Sequence, residues 1–68
     1  MNLKEARFKK DITQFELRLL TGIHQSRISY IERGYIVPRD DEKQKIEAAL
    51  GLRISWDENG RIRSRTAA

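Results

Sequence analysis

The sequence predicts an all-α domain of four short helices, and three observations predict it. Three of the four glycines and the single proline among its 68 residues fall where a helix is due to end, and the fourth, Gly60, sits in a tight-turn dipeptide. Between those marks, apolar residues recur at the i, i+3 and i+4 spacing that gathers them on one side of a helix. Two of the segments also open with residues able to satisfy the unpaired amides of a helix start.

The first helix is expected from about Asn2 to Lys10, with Leu3, Ala6 and Arg7 on its inward stripe. The second starts at "TQFE", where Thr13 caps and Glu16 reaches back three residues later, a reciprocal capping box. Leu17 and Leu20 form its expected core side, and Thr21 closes it before Gly22. The third runs from about Gln25 to Arg33, with Gly34 as a left-handed end and Pro38 as a stop. The fourth is announced by "RDDEKQ", where an Asp is expected as the cap and acids complement the positive helix end. It turns Ile46, Ala49 and Leu50 inward and stops at Gly51. Beyond it, "DENG" is turn chemistry between "ISW" and "RIR". Residues 54–63 are therefore expected as a short hairpin, or else as the start of a flexible, Arg-rich tail. In the hairpin version, Phe15, Leu19, Trp56 and Ile62 make a second small cluster. The expected organisation is one domain over 1–56 and an extension over 57–68.

A chain of this length holds one small core, which yields only a few kcal/mol and makes support from a partner subunit reasonable. With no cysteine, disulfides and thiolate metal sites are excluded. No apolar run reaches the roughly 20 residues of a membrane span, and the polar start does not read as a secretory signal. A cytoplasmic protein is expected, with no membrane, metal, cofactor or small-molecule effector. A single histidine, no phosphate-cradling glycine loop and little room for a pocket argue against an enzyme. The net charge of +4 is segregated: residues 1–39 hold eight Lys/Arg against four Asp/Glu, residues 40–58 three against six, and residues 59–68 three Arg and no acid. A basic front and an acidic back suit a polyanion on one side, although a solvated surface explains the same numbers.

The third helix poses the functional question. Only Ile28 and Ile31 give it an apolar seam, while His24, Gln25, Ser26 and Arg27 at its start are all polar. Just three residues, Gly22, Ile23 and His24, separate it from the second helix. Two helices joined so tightly through a glycine read as a helix-turn-helix, with a plain helical bundle as the alternative.

At this point the stretch "TQFEL…TGIHQSRISYIERG…P" resembles the Cro/phage-repressor, or Xre-type, helix-turn-helix family. The family pattern overlays Thr13 to Pro38 without a gap, and a weaker likeness runs from about Leu3 to Trp56. The resemblance implies a compact, lambda-repressor-like domain of four to five helices that binds duplex DNA sequence-specifically, usually as a dimer regulating transcription. His24 stands where the family prefers a Ser or Thr cap, and Arg18 where it has a small Ala between the second and third helices.

The resemblance also assigns roles. Gln25 would open a helix lying in the major groove, where its amide can bond adenine N6 and N7 together. Gln14 would lean on Gln25 and bond a phosphate at the start of the second helix. Ser26, Arg27 and Tyr30 complete the expected base-contacting set, with Arg27 reaching a guanine or a phosphate. Arg18, His24, Ser29, Arg33, Tyr35 and Arg39 are the expected phosphate contacts, His24 with a charge state that would make binding pH-sensitive. Arg7 and Glu32 would form a buried ion pair that ties the third helix in place. Each of these residues also has an ordinary reading, as helix filler, packing or solvated charge.

The leading expectation is a bacterial or phage transcriptional regulator that binds double-stranded DNA as a homodimer, most simply as a repressor. An antitoxin that adds toxin capture to the same fold, or a coactivator-like protein-interaction module, is the alternative.

Overall fold

The computed structural model describes residues 1–56, and among them the chain forms four helices: α1 (Leu3–Lys9), α2 (Gln14–Thr21), α3 (Gln25–Glu32) and α4 (Asp40–Leu50). All are short, so each depends on its ends being satisfied and on its buried stripe more than on intrinsic propensity.

Two helices are started by full capping boxes. Thr13 Oγ1 accepts from the Glu16 amide at 3.0 Å while the Thr13 amide donates to Glu16 Oε1 at 2.8 Å. The same exchange at α1, not expected from the sequence, joins Asn2 and Glu5 at 2.9 and 3.0 Å. At α4 the structure corrects the expected Asp cap. The cap residue is Arg39 and Asp40 is already helical, because the Glu42 carboxylate reaches back to accept the Arg39 amide at 2.8 Å. That reach sets the frame of the first turn, where Asp40, Asp41 and Glu42 complement the helix dipole.

The ends obey the glycines. Gly22 closes α2 at φ 77°, and a Cβ placed there would meet nothing within 4 Å, so the positive φ alone demands glycine. Gly34, at φ 78°, ends α3: its amide donates to Ile31 O at 3.1 Å and the Tyr35 amide to Tyr30 O at 2.9 Å, the two bonds of a Schellman motif.

The core collects Leu3 and Ala6 from α1, Leu17 from α2, Ile28 and Ile31 from α3, and Ile46 and Leu50 from α4, all at most 2% exposed. Ile23 in the α2–α3 turn is buried with them, whereas Ala49 is only partly covered. Leu20 is a correction: expected on the core side, it is 59% exposed. The inward stripe of α2 runs instead through Gln14, Leu17 and Thr21, at i, i+3 and i+7. Thr21 earns its inward place as a joint, donating to Leu17 O at 2.7 Å and accepting from the Ile23 amide at 3.1 Å.

After α4 the chain returns to its own start. The Ser55 amide donates to Met1 O at 2.8 Å, and Ile54 is buried. Glu47 Oε2 accepts from the Ile54 amide at 3.2 Å and from Trp56 Nε1 at 3.0 Å. Residues 54 and 55, expected as the first arm of a hairpin, form no strand and are tied instead to α4 and the N-terminus, and Trp56 is helical; the rest of the expected hairpin lies outside the described residues. Trp56 packs against the main core, and Ile62, which was expected beside it in a second cluster, lies outside the described residues. Phe15 and Leu19 are 50% and 67% exposed.

Candidate nucleic-acid interface

The α2–α3 unit positions the site. With Ile28 and Ile31 facing the core, the 100° step of a helix puts Ser26 and Tyr30 on the opposite, exposed side of α3, continued by Arg33 at its C-cap. Gln25, Arg27 and Ser29 fall half-buried on the two flanks, where the Glu32 side chain is also turned inward. The helix therefore presents a polar outer face, as its thin apolar seam requires.

His24 caps α3 after all. Its Nδ1 accepts from the Ser26 amide at 3.3 Å and lies 2.9 Å from Ser26 Oγ. The ring nitrogen thus stands in for the hydroxyl of a Ser or Thr cap, and Ser26 is drawn toward it.

One flank of α3 is held by Arg7. Its Nε donates to Glu32 Oε2 at 2.6 Å, its Nη2 to Glu32 Oε1 at 3.2 Å and its Nη1 to Ile12 O at 2.9 Å. The two side chains are 7% and 5% exposed, so this is the buried pair the resemblance implied. Gln14 joins the same carboxylate, its Nε2 donating to Glu32 Oε1 at 3.0 Å. Gln14 therefore ties the start of α2 to the end of α3, and no hydrogen bond joins it to Gln25 among the described residues. A carboxylate is the stronger acceptor, and it is already fixed by Arg7. Beside this cluster, Lys4, Ser29 and Arg33 line a notch together with Arg7, Gln14 and Glu32.

The other flank is held by a pair that the sequence did not announce. Arg27 Nε donates to Glu42 Oε2 at 2.5 Å and Arg27 Nη2 to Glu42 Oε1 at 3.0 Å, with side-chain exposures of 35% and 3%. The hydrogen bond from Arg27 holds the Glu42 carboxyl below the usual carboxylate range, against its own burial and with help from the Arg39 amide. The same bond raises the Arg27 guanidinium above its ordinary value. In the sequence Glu42 was one of three consecutive acids near a helix start, and nothing there marked it as the one turned inward to α3.

The remaining expected residues lie around this frame. Tyr30 and Tyr35, both about half exposed, face each other with ring centroids 5.9 Å apart and planes at 43°. Arg18 is exposed with its guanidinium 6.0 Å from the Phe15 ring centroid, clear of the α2–α3 seam where a small Ala usually packs. The Arg39 side chain is 69% exposed, 3.6 Å from Asp41 and 3.5 Å from Glu42.

A family model described as helix-turn-helix matches residues 3–56, four-fifths of the chain. The chain belongs to this family. Its branch is the Cro/phage-repressor, Xre-like type, so this helix-turn-helix protein is a DNA-binding regulator. No curated protein and no solved structure matches this helix-turn-helix chain significantly. No described helix is long and apolar enough to cross a membrane.

Proposed function

We propose that this helix-turn-helix protein represses transcription by binding a specific duplex operator as a homodimer, with α3 lying in the major groove. The observation that carries this reading is the division of α3 itself: Ile28 and Ile31 are fully buried while Ser26 and Tyr30, and Arg33 at the C-cap, are exposed. Gln25, at the first turn, is the leading base reader, bonding adenine N6 and N7 in a bidentate contact. Ser26 and Tyr30 complete the reading edge, Tyr30 by meeting a thymine methyl or a phosphate. Gln14, Arg18, His24, Ser29, Arg33, Tyr35 and Arg39 contact the flanking phosphates, which fix register without specifying sequence. Arg27 enters differently, because its guanidinium is already engaged by Glu42.

Phe15 and Leu19, exposed one turn apart on α2, support a protein partner, and the simplest is a second copy. Two copies of α3 would then enter successive major grooves roughly 34 Å apart. Selection from random duplexes with the purified protein tests the proposal. A palindromic site is expected, and Gln25→Ala should lose about 1–3 kcal/mol of discrimination at one base position per half-site. No enrichment at low salt would overturn it and favour a protein-interaction module or an antitoxin whose main partner is a toxin.

A further inference from the structure

Arg27 is the one cation within α3, two residues from Gln25 and three from Tyr30. A free arginine there would reach the phosphates beside the groove. Such a contact adds affinity to every duplex alike, because phosphates carry no sequence information. Burial does not prevent it, since the Arg27 side chain is 35% exposed. The Glu42 carboxylate does, by occupying Nε and Nη2 of the guanidinium in a two-pronged grip.

Glu42 is itself pinned. Its Oε1 accepts the Arg39 amide at 2.8 Å, its Oε2 lies 3.5 Å from the Arg39 guanidinium, and its side chain is 3% exposed. It cannot follow Arg27 outward without breaking the first turn of α4, and if Arg27 left alone a buried charge would lose its main partner. The restraint is therefore anchored from the α4 side.

We propose that Glu42 is a specificity-determining residue: it holds Arg27 against α4 and keeps that charge from strengthening sequence-independent binding. This rests on α3 being the DNA-reading helix. Glu42 acts through Arg27 and does not touch the DNA itself, so it is a positioning residue.

The test measures affinity for a selected site and for unrelated duplex across a range of salt, using the full chain and its variants, with folding checked by circular dichroism. Glu42→Gln should bind unrelated duplex more tightly, with a slope of log affinity against log salt steeper by about 0.9, the value for one added phosphate contact. The ratio of specific to non-specific affinity should fall. Adding Arg27→Met to Glu42→Gln should return the slope to that of the unmodified protein. A slope that stays steep in the double variant would assign the effect to Arg39 and overturn the inference. So would an unchanged or shallower slope in Glu42→Gln, which would mean that Arg27 contacts DNA already or not at all. If Glu42→Gln does not fold, Arg27→Met alone decides. An unchanged slope supports the restraint, and a slope shallower by about 0.9 shows Arg27 on a phosphate in the native complex. Absence of duplex binding by the unmodified protein would overturn the DNA-reading proposal and this inference with it. Duplex binding by the unmodified protein with no steeper slope in a folded Glu42→Gln overturns the inference alone.

Discussion

The two flanks of α3 carry the same chemistry in different surroundings. On one side Arg7 and Glu32 meet at 2.6 Å with exposures of 7% and 5%; on the other Arg27 and Glu42 meet at 2.5 Å with exposures of 35% and 3%. Both carboxylates are buried and both arginines grip them with two nitrogens, so the difference lies in the cation. Arg7 is enclosed and also donates to Ile12 O, which makes it part of the interior. Arg27 keeps an open side toward solvent. A buried pair that loses one partner strands a charge with no access to water. A half-open pair leaves its arginine free to serve another anion if the carboxylate is removed. The first flank is thus a lock, and the second is a restraint on a residue that has somewhere else to go.

The enclosed pair is the more costly of the two to disrupt. Arg7→Ala leaves Glu32 buried with only Gln14 as a side-chain donor, and should cost about 3–5 kcal/mol in chemical denaturation. DNA affinity should fall only as the folded fraction falls. A variant that stays fully folded yet no longer binds would place Arg7 on the DNA and dissolve the contrast between the two flanks.

Arg27→Met is the matched change on the other flank, and it should cost less, about 1–3 kcal/mol. Glu42 would keep the Arg39 amide at 2.8 Å and the Arg39 guanidinium at 3.5 Å, and the aliphatic stem at position 27 would be preserved. Equal losses in the two variants, measured by the same denaturant titration, would mean that exposure of the cation does not govern the strength of these pairs.

The lock was legible in the sequence and the restraint was not, for a physical reason. Arg7 and Glu32 each sit at a position that the family pattern marks, so the resemblance named them as partners. Apart from the cap of α4, the helix boundaries were legible because capping and left-handed termination are local: Thr13 with Glu16, and Gly22, Gly34 and Gly51, act on their near neighbours. Arg27 and Glu42 are fifteen residues apart on different helices, and no local rule connects them. The outward turn of Leu20 is illegible in the sequence for a related reason. Spacing alone fits a stripe through Leu17 and Leu20 as well as one through Gln14, Leu17 and Thr21. The choice is made by the Gln14 link to Glu32 and the Thr21 joint to Ile23, both of which depend on where α3 docks. The capping role of His24 was half visible, since its position was right and only the use of a ring nitrogen as acceptor was unforeseen.

The smallest expected effect sharpens the half-open flank through pH. The Glu42 carboxyl is held below its ordinary value mainly by the Arg27 hydrogen bond. A group depressed on folding contributes stability that is complete above its unfolded value, about 4.3 for a glutamate, and is lost as pH falls through the lower folded value. The stability difference between the unmodified protein and Arg27→Met should therefore be constant from neutral pH down to about pH 5 and should shrink below about pH 4. Denaturant titrations at several acidic pH values measure that difference directly. Protonation removes the charge that grips Arg27, so the same acid window should also release the guanidinium. If the difference held constant to pH 3, Arg27 would not be what keeps Glu42 ionised, and the grip on the guanidinium would have to come from shape and not from charge.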